Sequence, residues 1–251
     1  YMHKEKQVRD KPYFKRIIFR VIEDPSTTLL ALKGGEIEEA LLNPEQWTTQ
    51  TNDAEFYSKN TKITAPEWTY FYFGWNCKTP FFSDVRVRKA MSYAFDYEEM
   101  LDKLFYGLYE PSNGIYNNDA WFAPKNPPKP YKQDLDKAED FLDEAGWTDT
   151  DGDGIRDKMI GGKRVNFEFS IICGQTPNSI KVCTLLKECL DRIGVVCHVR
   201  PTEFTVLQQL TQDHKFTAMM GGWGTGTDPD TGRNLWTTGV ERNYVQYSNP
   251  E

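Results

Sequence analysis

A chain of 251 residues with 39% hydrophobic and 27% charged side chains is long enough to bury a substantial core and has a globular composition. Its formal charge of −7 argues against a nucleic-acid-binding module, which presents a basic face. No apolar run in the sequence is long enough to span a bilayer.

In chain order, residues 16–23 (RIIFRVIE) carry the β-branched and aromatic density of a strand. A helix is expected from Ser26, stopped by Gly34 and Gly35, followed by a short apolar run over 37–42. The stretch TYFYFGW at 69–75 reads as a buried aromatic strand. The clearest helix follows, capped by Ser83 or Asp84, with Val87, Ala90, Met91, Ala94 and Phe95 on one face. Asp96 and Glu99 open a second helix through Phe105 that Gly107 ends. Residues 110–131, rich in Pro, Asn and Gly, read as a long loop. Asp136 and Glu139 start another helix, with Ala138, Phe141, Leu142 and Ala145 inward and Gly146 as its stop. An acidic loop spans 149–157, and then come a strand at 165–171, a helix at 178–193 closed by Gly194 and a strand at 195–199. A helix at 203–212, a strand at 216–220 and a glycine-rich loop at 221–230 complete the pattern. Strands alternating with helices in this way predict an α/β or α+β lobe with a mixed sheet.

The aromatic content of 14% exceeds what a core of this size needs and suits a surface that grips flat or extended ligands. Cys77, Cys173, Cys183, Cys189 and Cys197 are too sparse for a disulfide framework and show no zinc spacing, so buried free thiols are expected, with one or two disulfides left open. His3, His198 and His214 are scattered, and no nucleophile, zincin or P-loop motif accompanies them. A catalytic function is not expected.

At 73–96 the chain reads FGWNCKTPFFSDVRVRKAMSYAFD, an aromatic strand ending in Asn, then Pro-Phe-x-x-Asp and a Val-Arg-x-Ala helix. Further on come DKAEDFLDEAGW at 136–147, LDRIGVV at 190–196, and GWGTGTDP at 222–229 with YVQYSNP at 244–250. In this order these segments resemble the family-five extracellular solute-binding proteins, the oligopeptide and dipeptide receptors of ABC importers. The resemblance implies a type II periplasmic-binding-protein-like fold, in which two lobes close over a ligand and present the closed form to a membrane permease. It implies that residues 1–68 are the last part of the first lobe and that 69–251 are most of the second. It also implies a periplasmic or extracellular location, with a lipid anchor carried outside this sequence. Because Tyr1 is not an initiator, the chain is expected to be a processed or excised piece.

The family's late ligand loop falls on Gly222, Trp223, Gly224 and Thr225. Consecutive glycines admit a ligand close to the backbone, and Trp223 offers an apolar wall. Peptide-binding members often carry a carboxylate three residues after the Trp. Here that position is Gly226, and Asp228 either takes over the charge or caps the next turn. The loop CGQTPN at 173–178 lacks the arginine of dipeptide-specific relatives; Gln175 is the weaker ligand candidate, and Asn178 serves equally as a helix cap. Asp149, Asp151, Asp153 and Asp157 sit at alternating positions resembling half of a calcium loop, against the competing reading of a solvated hairpin turn. Alternative functions within the resemblance are an oligosaccharide or metal-chelate receptor and the solute-sensing part of a transcription regulator.

Overall fold

The computed structural model describes residues 14–112, 114–226 and 228–249, together with the backbone of two short antiparallel strands, β1 (Met2–His3) and β2 (Lys6–Gln7). Thr227 and Pro250 of the late motif, and the His3 side chain, lie outside what is described. The chain divides into two compact units, Tyr1–Lys62 and Ile63–Glu251.

In the first unit, α1 (Pro25–Gly34) begins with Pro25 in its first turn, where a missing N–H costs nothing, and Asp24 accepts from the Thr27 amide at 2.7 Å. Gly35 at φ 75° ends it, its N–H reaching the Leu32 carbonyl. A π-helical turn at Gln46–Gln50 leads to α2 (Ala54–Lys59), capped by Asp53. Residues 16–23 are not the expected strand: they join no ladder, and Phe19 is 90% exposed. Strand propensity records a fit to a pleated neighbour, and among the described residues this segment has none.

The second unit is built on a four-stranded sheet in the order β3–β8–β6–β7, comprising β3 (Thr69–Trp75), β6 (Glu168–Gly174), β7 (Val196–Thr202) and β8 (Ala218–Gly224). β3 runs antiparallel to β8, whereas β8, β6 and β7 are mutually parallel. Strand alternation gives the sheet two buried faces. Phe73, Trp75, Phe169, Ile171, Cys173, Cys197 and Ala218 pack against α3 (Val85–Ala94), α5 (Leu135–Glu144) and α6 (Pro177–Asp191). Ile172, Met219 and Tyr72 face α7 (Phe204–Gln212) and the closing segment with Trp236, Tyr244 and Val245. The remaining elements are α4 (Tyr97–Glu99), which runs into a π-helical turn at Met100–Leu104; the hairpin β4 (Asp157–Ile160) and β5 (Lys163–Asn166); and α8 (Arg233–Trp236), entered from a 3-10 turn at Pro229–Gly232.

The motif at 73–96 has a mechanical reading. Buried Asn76 ends β3 by donating from Nδ2 to the His214 and Phe216 carbonyls, while its Oδ1 accepts from the Lys78 amide. Asp84 caps α3 by accepting from the Arg86 amide, and the Arg86 guanidinium reaches across to the Glu144 carbonyl at the end of α5. Gly146, at φ 80°, turns the chain so that Trp147 drops into the core beside Phe81 and Phe167. Two helix starts differ from the sequence reading. Asp134 caps α5 in place of Asp136, and Thr176 caps α6 in place of Asn178, because Pro177 occupies the first helical position. Among the described residues no helix is long and apolar enough to cross a membrane.

Candidate ligand-binding edge of the sheet

Parallel strands bring their carboxyl ends to one edge, and open α/β sheets bind ligands in the crevice beyond that edge. Here the edge gathers the ends of β6, β7 and β8 with the start of antiparallel β3. β8 does not stop at Met220, as the glycine run suggests, but continues through Gly221, Gly222 and Trp223 to Gly224. It is carried there by β3, with Tyr70 opposite Trp223 and Thr69 opposite Gly224.

The β6–β8 ladder is short. Among the described residues it consists of Ile171↔Ala218 and Ile172↔Met219. Beyond these pairs β6 follows β7 as far as Gly174↔Thr202, and β8 follows β3 as far as Gly224↔Thr69. Two ribbons thus leave a common base, and the parallel register, continued, would bring Gln175 level with Gly222. The Thr225 amide donates to the Trp68 carbonyl at 2.6 Å, which makes Thr225 and Trp68 a bonded pair of the antiparallel ladder. Bonded pairs alternate along such a ladder, so Gly222 and Gly224 turn their N–H and C=O groups away from β3, toward the β6 side. Both glycines are exposed. A Cβ on Gly222 would lie 2.8 Å from Phe71 Cδ1 and 3.1 Å from the Tyr70 carbonyl oxygen, so any side chain here would push on β3.

Trp223 lies on the other face of β8 and is half-buried. Its Nε1 donates to Tyr72 Oη at 3.1 Å, and its ring lies 5.6 Å from that of Tyr244. Trp236 repeats the pattern, donating from Nε1 to Tyr70 Oη at 3.1 Å with its ring 5.4 Å from Tyr72. The indole donor of Trp223 is therefore committed within the protein, and the residue offers ring surface to a ligand. Tyr70, Tyr72, Trp236 and Tyr244 were not singled out by sequence. The alternation in TYFYFGW, which puts Tyr70 and Tyr72 on one face, was the available signal.

Burial pushes the Tyr72 phenol up to about 12, against a smaller lowering by the Trp223 hydrogen bond, and burial does the same for Tyr97. In the unfolded chain these phenols ionise near 10, so between pH 10 and 12 the unfolded state binds fewer protons and stability falls as pH rises. Each phenol contributes on the order of 2 kcal/mol, fully present below pH 10. Urea denaturation at pH 9 and pH 11.5 checks this, and Tyr72→Phe should reduce the alkaline loss.

Among the other candidates, Gln175 is exposed in the bend after β6 and belongs to the same edge. Asp228 caps the 3-10 turn, accepting from the Asp230 amide at 2.9 Å, and the next carbonyl, that of Pro229, accepts from Tyr116 Oη. Asp149, Asp151 and Asp153 stand elsewhere, exposed, each with a carboxylate oxygen within 4.8 Å of the others. Asp149 accepts from the Gly154 and Gly152 amides, which hold its carboxyl below the usual range, and Asp151 pairs with Arg164 at 2.5 Å. Asp157 does not join this trio. It is buried and accepts from the Thr150 amide and hydroxyl, closing the turn from inside.

The chain matches the model of bacterial extracellular solute-binding proteins, family 5, middle region, over residues 2–244. It is 29% identical to the oligopeptide-binding protein AppA of Bacillus subtilis (strain 168), across 96% of this chain and 44% of that protein. It is 27% identical to the nickel-binding periplasmic protein of Escherichia coli (strain K12), across 88% of this chain and 42% of that one. The chain thus spans less than half the length of these relatives. Among solved structures, AppA from Bacillus subtilis in complex with a nonapeptide superposes with a TM-score of 0.80 at 28% identity, covering 92% of this chain and 45% of that one. NikZ from Campylobacter jejuni in complex with Ni(L-His) gives 0.76 at 27% identity, covering 91% and 45%. The chain belongs to the bacterial extracellular solute-binding proteins of family 5.

Proposed function

We propose that this chain is part of a solute receptor that delivers an extended peptide to an ABC import permease, and that the carboxyl edge of its sheet holds the peptide main chain. The observation that carries this reading is the outward turn of the Gly222 and Gly224 backbone groups at an exposed strand end with no side chain to cover them. An extended ligand pairs with such groups as an added strand, through bonds indifferent to its sequence, while Trp223 and Phe71 supply apolar surface on the two faces. In the whole receptor, affinity that is greater for the closed form than for the open one drives closure. This reading assigns no chemical step to any residue. It places the receptor outside the cytoplasmic membrane.

A second reading, a chelate or neutral-solute receptor, is favoured by the uncharged side chains of Gln175 and Thr225 at the edge. Thermal-shift titration of the full-length protein separates the two. Peptides should raise the midpoint, and backbone N-methylation of the same peptides should abolish the rise. A midpoint raised by an oligosaccharide or by a nickel–histidine chelate, and by peptides of no length, would overturn the peptide assignment.

A further inference from the structure

Among the described residues, three that are not glycine have left-handed backbone: Tyr106 at φ 53°, His214 at φ 55° and Gln246 at φ 54°. That conformation is strained for a bulky residue and persists only where the surrounding structure or a function holds it. His214 is held by the protein: its Nδ1 lies 2.9 Å from the Tyr244 carbonyl, and its own carbonyl accepts from Asn76. Gln246 is held likewise, its N–H donating to the Asn243 carbonyl at 2.9 Å. Tyr106 differs. Among the described residues its hydroxyl bonds to nothing and its ring stacks on nothing, and it is 40% exposed. The bond that closes its turn belongs to the next residue, Gly107 at φ 68°, whose N–H donates to the Leu101 carbonyl at 2.9 Å. Local packing therefore gives no reason for a tyrosine at this position.

The fold carries this residue to the carboxyl edge of the sheet. Gln133 Nε2 donates to the Ala94 carbonyl at 3.0 Å and lies 3.7 Å from Cys189 Sγ, which sets the start of α4 beside the carboxyl-terminal half of α6. From there the π-helical turn packs on α6. At helical rise, residues 96–105 span roughly 13 Å of the roughly 18 Å back to Pro177. Phe105 is buried in the core with its ring 4.3 Å from that of Tyr109. The Tyr109 phenol is pushed up by burial and, less, by the carboxylate of Glu67, two residues ahead of β3. Residues 106–109 thus reach the edge between the start of α6 and the start of β3, on the helical face that carries Phe71. Tyr106, Leu108, Tyr109 and Phe71 are all exposed.

We propose that Tyr106 is a specificity-determining residue of the ligand edge: its strained turn presents the ring, with Leu108 and Phe71, to a large apolar side chain of the bound peptide. An extended peptide sends alternate side chains to opposite faces, so those on the Trp223 side and those on this side are read by different residues. The inference rests on the peptide reading and adds a side-chain preference to main-chain bonds that carry none.

The test uses the full-length receptor and an alanine-based peptide, with phenylalanine placed at each position in turn and each Kd measured by isothermal titration. The wild-type protein should prefer phenylalanine over alanine by about tenfold at one position, equivalent to about 1.4 kcal/mol. Tyr106→Asn removes the ring but tolerates the left-handed turn. In that variant the preference at that position should fall to near one, and Tyr106→Phe should restore it. Because the strain is relieved, the melting midpoint of the ligand-free Tyr106→Asn protein should rise by about 2 °C. A phenylalanine preference that is absent from the wild type, or equal in wild type and Tyr106→Asn, overturns the proposal. So does a lowered midpoint, which would show that packing of the ring holds the turn. If no peptide binds the wild type, the peptide reading itself fails and this subsite with it; peptide binding with an unchanged preference sinks the subsite alone.

Discussion

Gly222→Val in the full-length receptor should weaken peptide binding by about tenfold or more, equivalent to about 1.4 kcal/mol. The new Cβ meets Phe71, whose exposed ring can swing aside, and the Tyr70 carbonyl oxygen, which is backbone and cannot. Relief comes from tilting β8 off β3, which re-aims the Gly222 and Gly224 groups that the ligand main chain would use. Isothermal titration with a peptide that raises the melting midpoint provides the measurement. An unchanged Kd in a variant that melts normally would remove these glycines from the site. Gly34→Ala, at the end of α1 with open space around its Cβ position, controls for a general effect of losing glycine.

The largest loss of stability is expected from Trp147→Ala, about 3–5 kcal/mol, the range for removing a fully buried large aromatic side chain. Trp147 is 1% exposed and its ring centroid lies 4.5 Å from that of Phe167 and 5.6 Å from that of Phe81. Its carbonyl accepts from the Arg156 guanidinium, which also bonds the Ile193 carbonyl, so the same residue ties the ends of α5 and α6 to the hairpin. Trp147→Phe keeps a ring in the stack and should lose clearly less. Urea unfolding of both variants decides the point: equal, small losses would mean that the pocket collapses and that Trp147 is not a keystone of this core.

Much of this architecture is local chemistry and could be read from local sequence. Asp84 before Val87-x-x-Ala90-Met91 and Gly146 before Trp147 act through neighbours a few residues away, and α3 lies where its cap and periodicity put it. Apart from the two shifted caps of α5 and α6, the errors concern long-range partners. Residues 16–23 have strand composition without a pairing neighbour among the described residues, whereas Gly221–Gly224 have loop composition but are held as strand by Tyr70 and its neighbours, some 150 positions away. The same distance hid the geometry of the candidate edge. Trp223 and its glycines were legible as a motif, but their commitment to Tyr72, and the direction of their backbone groups, depend on register. Asp157 illustrates the reverse error: regular spacing suggested a common role with Asp149, Asp151 and Asp153, yet the bridge between Thr148 and Asp157 turns it inward to Thr150.

The two-pair junction of β6 with β8 has a mechanical corollary. Each ribbon is stiffened along its length by seven paired positions, whereas the weld between ribbons is two positions long. Compliance is therefore concentrated at the mouth, where the ribbons can spread or narrow without breaking a ladder bond. Depth is not adjustable in this way, because Ile172 and Met219 close the floor. A molecule seated there could vary in girth at little cost, and any added length would have to run outward along the strands.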